Sequence, residues 1–171
     1  MHIDLSEILS RENLVKELEV PFEAEKIRYY GDDANIVSKQ PVELTLQNEG
    51  KNKAYIKGET SFGLMLKCGR CLKPVEYQMR LTPEVRIPCE SEEGSEELSY
   101  VSGHSFDVDG FVLDECYVQL PMNVLCSEDC KGLCIKCGKN LNEGSCNCDT
   151  FVPDPRMTRI LDIYNANKEE V

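Results

Sequence analysis

Eight of the ten cysteines in this chain stand in four close pairs, and this spacing constrains the fold more than any other feature of the sequence. Cysteine pairs separated by one to three residues present thiolates to a tetrahedral metal ion. The usual alternative is a secreted disulfide framework, which is expected in short chains that carry a signal peptide. This chain has 171 residues, and its opening lacks the basic and apolar stretches of such a peptide. Metal binding is therefore the leading interpretation.

The four pairs can be divided into two four-cysteine sites in three ways. In chain order the pairs are Cys68/Cys71, Cys126/Cys130, Cys134/Cys137 and Cys146/Cys148. Low loop-closure entropy favours joining the third pair to the fourth, because only eight residues separate them. The first pair then joins the second. The main competitor joins the first pair to the third, as in a split zinc ribbon, and the sequence leaves both divisions open.

Two structural zinc ions are the predicted cofactors of these eight cysteines. Hairpin knuckles and C-x2-C-G turns are typical of structural zinc, and the chain lacks the closely spaced cysteine run of a bacterial iron–sulfur protein, although iron is the alternative metal. A catalytic zinc site keeps an open position and commonly a histidine ligand, whereas this chain has only His2 and His104. Deaminase, phosphate-loop and dinucleotide-binding motifs are also absent from the sequence. We therefore predict a protein that is not an enzyme and has no small-molecule substrate.

The predicted fold class is α+β, mainly an antiparallel β-sheet with a few helices and a C-terminal cysteine-rich zinc-knuckle segment. Apolar side chains alternate with polar ones at even positions over 56–66 and at odd positions over 75–81, which predicts two strands of a hairpin. The first cysteine pair lies in the short connection between them. A further alternation at 42–46 predicts another strand.

Three helices and two domains complete the predicted organisation. An opening helix is expected within 6–18, and a second helix begins from Asp109 as its N-cap, with Cys116 as a buried core residue. A third helix follows Asp154 and carries an apolar stripe over 157–164. The predicted domains are a β-rich unit over 1–125 and a cysteine-rich unit over 126–171, whose helix packs on the metal-binding segment. Cys89 is assigned no role.

The charge distribution separates one acidic segment from the rest of the chain. The net charge is −12, and residues 84–129 hold twelve acidic side chains against the single basic residue Arg86. Because a basic footprint drives affinity for phosphate, tight non-specific nucleic-acid binding by the whole chain is not expected. The acidic segment suits a basic partner protein, although a solvated loop is the favoured interpretation at 90–97, where five glutamates occur. No apolar run is long enough for a membrane span, so we expect no membrane partner and a cytoplasmic location.

Basic residues cluster around the cysteine pairs. One explanation is charge balance, since zinc held by four thiolates carries a formal charge of −2. The other is a small surface that contacts RNA phosphates. The candidates for RNA contact are Arg70, Lys73, Lys136 and Lys139.

Four motifs carry a resemblance to a known family. They are Cys68-Gly-Arg-Cys71-Leu, Leu120-Pro121, Cys126-Ser-Glu-Asp-Cys130-Lys-Gly-Leu-Cys134-Ile-Lys-Cys137-Gly-Lys-Asn-Leu-Asn and Asp154-Pro155-Arg156. The chain resembles the YceD-like family of bacterial and plastid proteins, which is associated with accumulation of 23S ribosomal RNA. The resemblance implies a non-enzymatic role in large-subunit assembly, on precursor 23S rRNA or a basic ribosomal protein, and no catalytic residue carries over. The alternatives are a zinc-ribbon nucleic-acid-binding or regulatory protein and, less favoured, a thiol or zinc enzyme.

Overall fold

The computed structural model describes residues 1–50, 53–88 and 98–148, together with Met157 and Ile160. The strands of this part of the chain are β1 (His2–Asp4), β2 (Val15–Val20), β3 (Lys26–Tyr29), β4 (Asp32–Lys39), β5 (Val42–Gly50), β6 (Lys53–Lys67), β7 (Pro74–Leu81), β8 (Glu84–Pro88), β9 (Val101–Ser102) and β10 (Ser105–Asp107). Its helices are α1 (Ser6–Ser10) and α2 (Val108–Gln119). All strand pairings between these elements are antiparallel. The prediction of a mainly antiparallel sheet with a few helices is confirmed.

Strand β6 is the centre of the larger, seven-stranded sheet. The first half of this 15-residue strand pairs with β5 and β8, and its second half pairs with β4 and β7. Strands β2 and β3 extend the sheet beyond β5 and β4, respectively. Because side chains alternate along a strand, β6 sends every second residue into the core, including Ile56, Phe62 and Leu64. One long strand therefore holds both halves of the sheet together.

The predicted hairpin is formed by β6 and β7. Residues Lys67 and Pro74 are the last pair of the ladder, so the connection comprises residues 68–73. Positions 56, 62, 64 and 66 of β6 are buried, and Met79 and Leu81 of β7 are buried on the same side. The first cysteine pair therefore lies at the hairpin tip, as the alternation predicts. The alternation at 42–46 also forms a strand, β5.

The opening helix is shorter than the predicted window. Helix α1 ends at Ser10, and the residues from Val15 form β2, which pairs with β5 in a register that places Leu18 opposite Leu44. The chain turns between these elements at Asn13, whose φ is +59°. The helix therefore lies within the predicted window, and the later residues of that window form a strand because Leu18 and Val20 follow a two-residue period.

Helix α2 packs on the sheet and differs from the prediction at its start. The N-cap is Asp107 rather than Asp109, because the chain leaves β10 at Asp107 and Val108 is already a buried helical residue. The Asp109 carboxylate instead accepts the backbone N–H of Glu23 at 2.9 Å. Cys116 is fully buried, with its Sγ 3.9 Å from the Met79 Sδ, so its prediction as a core residue is confirmed.

Some predictions fall on residues that the structure does not describe. Cys89 and the glutamate-rich loop over 90–97 lie outside the described residues, as does nearly all of the predicted C-terminal helix. The domain division at residue 125 stays a prediction. Neither helix in the described part of the chain is long and apolar enough to cross a lipid bilayer.

Candidate metal centres

The hairpin tip and the segment after α2 bring four cysteine sulfurs together. Cys68, Cys71, Cys126 and Cys130 form this first tetrad, and their Sγ atoms lie within 4.8 Å of one another. The Sγ atoms of Cys71 and Cys126 are 3.5 Å apart, and those of Cys68 and Cys130 are 3.8 Å apart. These separations are far too long for disulfide bonds, which measure about 2.05 Å.

The geometry of the first tetrad fits a single zinc ion. Zinc–sulfur bonds of about 2.3 Å in a tetrahedron place the sulfurs roughly 3.8 Å apart, close to the two separations found here. Three of the four cysteines are buried and Cys126 is exposed. A soft, closed set of four sulfurs is the donor set of structural zinc, which leaves no position open for a substrate.

The hairpin tip directs its sulfurs through a compact turn. The Cys68 N–H donates to the Lys73 carbonyl at 2.8 Å, and the Leu72 N–H donates to the Cys68 carbonyl at 2.9 Å. Leu72 closes this turn with a φ of +61°, a conformation that favours glycine. Leu72 is nevertheless 59% exposed. The turn therefore contains local backbone strain at an apolar, solvent-facing residue.

Gly69 lets the segment after α2 approach the hairpin tip. Its N–H donates to the Val124 carbonyl at 2.9 Å, and a Cβ at this position would lie 1.8 Å from the Oδ1 of Asn123. Any larger residue must displace the Asn123 side chain. The hydrogen bond and the close approach together place Cys126 and Cys130 beside the first pair.

A second tetrad forms within the cysteine-rich segment itself. Cys134, Cys137, Cys146 and Cys148 have their Sγ atoms within 4.8 Å of one another. Its turn repeats the pattern of the first: the Cys134 N–H donates to the Lys139 carbonyl, and the Gly138 N–H donates to the Cys134 carbonyl, both at 2.8 Å. Gly138, with a φ of +70°, takes the position that Leu72 takes at the hairpin tip. The structure thus assembles the pairs in the division that loop entropy favours.

Backbone N–H groups stabilise one thiolate in each tetrad. Hydrogen bonds from the N–H groups of Cys71 and Arg70 help lower the pKa of Cys68 to about 6. In the second tetrad the N–H groups of Cys137 and Lys136 lower the pKa of Cys134 to about 6. A dication binding there finds these thiolates already formed.

One cysteine in the second pair of each tetrad holds its proton more tightly. Hydrogen bonding with the Cys71 sulfur raises the pKa of Cys126 to about 12, and the Cys137 sulfur does the same for Cys148. Two thiolates so close together repel each other unless a cation lies between them. Metal binding at either tetrad therefore releases protons.

Three of the four basic candidates for RNA contact already have partners inside this region. The Arg70 guanidinium donates to the carbonyls of Glu128 and Cys130, at 3.3 and 2.9 Å. Lys73 forms an ion pair with Glu143 at 2.7 Å, and Lys139 donates to the Ser145 carbonyl at 2.8 Å. Lys136 is exposed.

Asn142 is a residue near the metal centres that sequence reasoning missed. Its side-chain amide donates to the Cys130 Sγ at 3.4 Å, although it lies in the loop between the two pairs of the second tetrad. The Asn-Leu-Asn run after Cys137 contains this residue, but nothing in its spacing indicates a contact with the first tetrad. Only the folded chain brings the two together.

The comparisons with known proteins place these centres in a family. The family model described as "Large ribosomal RNA subunit accumulation protein YceD" matches residues 56–163. That range includes most of the central hairpin, α2 and all eight tetrad cysteines. The chain belongs to the YceD family. The resemblance found in the sequence motifs is thereby confirmed.

Individual relatives agree with the YceD assignment but cover the chain unevenly. The chloroplastic large ribosomal RNA subunit accumulation protein YCED homolog 1 of Arabidopsis thaliana is 36% identical over 42 residues, which are 25% of this chain and 13% of that protein. An uncharacterized protein of Mycobacterium tuberculosis is 28% identical over 134 residues, 75% of this chain and 64% of its own length. One from Mycobacterium leprae is 26% identical over 109 residues, 59% and 49% of the two chains. The matched part of this YceD chain spans less than two thirds of these relatives, and no solved structure matches it.

Proposed function

We propose that this chain is a non-enzymatic factor that supports accumulation of 23S rRNA during assembly of the large ribosomal subunit. The observation that carries the proposal is the match to the YceD family model, whose description names accumulation of the large ribosomal RNA subunit. The matched range contains both tetrads, so the proposed metal centres belong to the part of the chain shared with the family. A cytoplasmic location is part of the same proposal.

Each tetrad holds one structural zinc ion in this proposal. The proposed ligands are the sulfurs of Cys68, Cys71, Cys126, Cys130, Cys134, Cys137, Cys146 and Cys148. Support comes from the sulfur separations and from the closed all-thiolate donor set. Zinc binding would stabilise the cysteine-rich segment, which has almost no buried core of its own because only Gly132 and Cys134 are buried between 131 and 148.

Elemental analysis and X-ray absorption test the metal centres directly. We expect two zinc ions per chain with sulfur ligands only, because eight thiolates are gathered into two closed sets. One ion per chain, or nitrogen in the coordination shell, would contradict the assignment of two four-sulfur sites.

The proposed partner of the acidic segment is a basic large-subunit ribosomal protein. The described residues from 98 to 130 contain no lysine or arginine. On the outer face of α2, Val118 is 79% exposed one turn after Asp114, and Met122 beyond the helix is 89% exposed. Apolar side chains beside acidic ones suit a segment that carries both lysine or arginine and apolar anchors.

Precursor 23S rRNA is the proposed partner of the basic residues near the tetrads. The side chains of Arg70, Lys73 and Lys139 bind partners within the chain. Their charges therefore stabilise the cysteine-rich segment in addition to any contact with an RNA phosphate. Lys136 is the strongest candidate, because it is exposed and its side-chain ammonium forms no ion pair or hydrogen bond with the described residues. A single phosphate contact is weak and depends steeply on salt concentration.

Complementation in cells that lack the chain tests both contacts. We expect the double variant Val118→Ser/Met122→Ser to lower 23S rRNA and to reduce co-sedimentation with large-subunit precursor particles. The matched control is Val15→Ser, which removes an apolar side chain that is 52% exposed on β2. Lys136→Gln should reduce association mainly at low salt, with Lys57→Gln on β6 as its control. Unchanged association and rRNA levels in the paired variants would remove the contacts proposed here.

A further inference from the structure

Asn142 forms hydrogen bonds at the first tetrad through both the nitrogen and the oxygen of its side-chain amide. Its Nδ2 donates to the Cys130 Sγ at 3.4 Å, and its Oδ1 accepts the N–H of Lys131, the next residue, at 2.8 Å. A donor on a thiolate ligand disperses part of the charge on sulfur, and a zinc ion with four thiolates has a net charge of −2. Asn142 is therefore placed to strengthen metal binding at the first tetrad.

The position of Asn142 depends on the second tetrad. Asn142 lies in the loop of residues 138–145, which the second tetrad closes at both ends. Few other contacts fix the loop: the Leu141 N–H donates to the Gly132 carbonyl at 2.9 Å, and the Asn142 N–H donates to the Asn140 Oδ1 at 3.0 Å. No side chain of the loop itself is buried among the described residues. Without metal at the second tetrad, few interactions of this loop would hold the Asn142 side chain in contact with the Cys130 sulfur.

Other contacts between the two tetrads bring them together without touching a ligand sulfur. The Leu133 N–H donates to the Arg70 carbonyl at 3.1 Å, and Lys73 pairs with Glu143 at 2.7 Å. The ion pair is solvent-exposed, so it contributes little to stability by itself. Asn142 alone, among the described residues outside the tetrads, joins the loop of one tetrad to a sulfur of the other through its side chain.

We propose that the two tetrads bind their metal ions as a coupled pair, with Asn142 as the positioning residue through which a filled second tetrad strengthens binding at the first. This inference rests on the structural zinc sites of the proposed function. Loss of a hydrogen-bonding partner of a metal ligand costs about 10- to 100-fold in affinity, which sets the size of the coupling. Coupling of binding free energies is reciprocal, so metal at the first tetrad strengthens binding at the second by the same factor.

Cobalt(II) titration of the full chain tests the coupling. We compare the unmodified chain with Cys137→Ser/Cys146→Ser, which disables the second tetrad, and follow the thiolate-to-cobalt charge-transfer absorption of the first. We expect 10- to 100-fold weaker cobalt binding at the first tetrad when the second is disabled. Asn142→Leu should weaken the first tetrad by a similar factor, and disabling the second tetrad in that variant should add little.

Two further variants separate the hydrogen bond from general damage to the loop. Asn142→Asp keeps an acceptor for the Lys131 N–H but loses the donor to sulfur, so it should bind cobalt as weakly as Asn142→Leu or more weakly. Asn147→Leu, an exposed position between Cys146 and Cys148, should bind like the unmodified chain. Loss of the donor should also shift the charge-transfer band to lower energy, because the sulfur becomes richer in electrons.

The outcomes distinguish this inference from the proposed function. If the first tetrad binds cobalt equally well with the second tetrad intact or disabled, the coupling is refuted while both metal centres stand. Full affinity in Asn142→Asp, or an equal loss in Asn147→Leu, would refute the role of the Asn142 donor. A chain without any charge-transfer absorption would remove the metal centres and the coupling together.

Discussion

Gly132→Ala should weaken the cysteine-rich segment more than Gly138→Ala, although both glycines have left-handed backbone conformations. The φ values are +76° and +70°, so either alanine costs about 1–2 kcal/mol in backbone conformation. The surroundings differ. A Cβ at Gly138 meets nothing within 4 Å, whereas a Cβ at Gly132 would lie 3.0 Å from the Arg70 carbonyl oxygen. Gly138→Ala is therefore a control for the conformational term alone.

The additional cost at Gly132 follows from what the Arg70 carbonyl does. That oxygen accepts the Leu133 N–H at 3.1 Å, and it belongs to the backbone of the hairpin tip, so it cannot move aside freely. Displacing it by a few tenths of an ångström disturbs a hydrogen bond whose net value is about 0.5–1.5 kcal/mol. We expect the two variants to differ by about 1 kcal/mol, which is roughly a fivefold difference in an opening equilibrium.

Hydrogen exchange on the zinc-loaded chain measures this difference. The amide of Leu133 reports opening between the hairpin tip and the cysteine-rich segment, and the amide of Cys134 reports opening of the second knuckle. Gly132→Ala should accelerate exchange at the Leu133 amide about fivefold more than Gly138→Ala does. Equal acceleration in the two variants would refute the argument that the Arg70 carbonyl limits the space at Gly132.

Three other changes test separate parts of the structure. Cys134→Ser should disorder residues 131–148 and leave the hairpin sheet folded, whereas Cys68→Ser should detach the segment after α2 from the hairpin tip. If amide spectra show that both variants lose the same ordered residues, this separation is contradicted. Cys116→Ser should leave two zinc ions per chain and lower the free energy of unfolding by about 1–3 kcal/mol, because it buries a hydroxyl beside Met79; a loss of zinc would make Cys116 a ligand. Leu72→Gly should raise the free energy of unfolding by up to about 1 kcal/mol, because glycine adopts a positive φ without strain. A drop in thermal stability would instead show that the Leu72 side chain makes stabilising contacts.

The parts of the fold that were predictable depend on neighbouring residues. The β6–β7 hairpin follows from the alternation of apolar side chains on both sides of Cys68, and its pairing needs only a six-residue connection. The second tetrad belongs to the division that the sequence favours without deciding it, since its pairs are eight residues apart and closing so small a loop costs little entropy. The buried position of Cys116 follows from its place on the apolar face of α2.

The details of the structure that could not be predicted depend on contacts between distant residues. The opening helix lies within the predicted window 6–18, but only the structure shows that it ends at Ser10, because β5 supplies a partner strand for the residues from Val15. Asp109 resembles an N-cap in the sequence, but the pairing of β10 with β1 brings the chain into the helix two residues earlier. Arg70 stays a candidate for RNA contact, and only the folded chain shows that its guanidinium donates to the carbonyl of Cys130, 60 residues along the chain.

Residue spacing and apolar alternation suffice to predict that the thiolates are gathered in pairs and that the first pair lies at a hairpin tip, because both patterns act over a few residues. The tertiary structure alone decided that Cys71 meets Cys126, 55 residues away, and that Asn142 of one loop reaches a sulfur of the other tetrad. Those contacts depend on how α2 returns the chain to the hairpin and on the space left at Gly69 and Gly132. The path of the chain after α2 and the space at the two glycines both depend on side-chain packing between distant segments. No local sequence pattern encodes that packing.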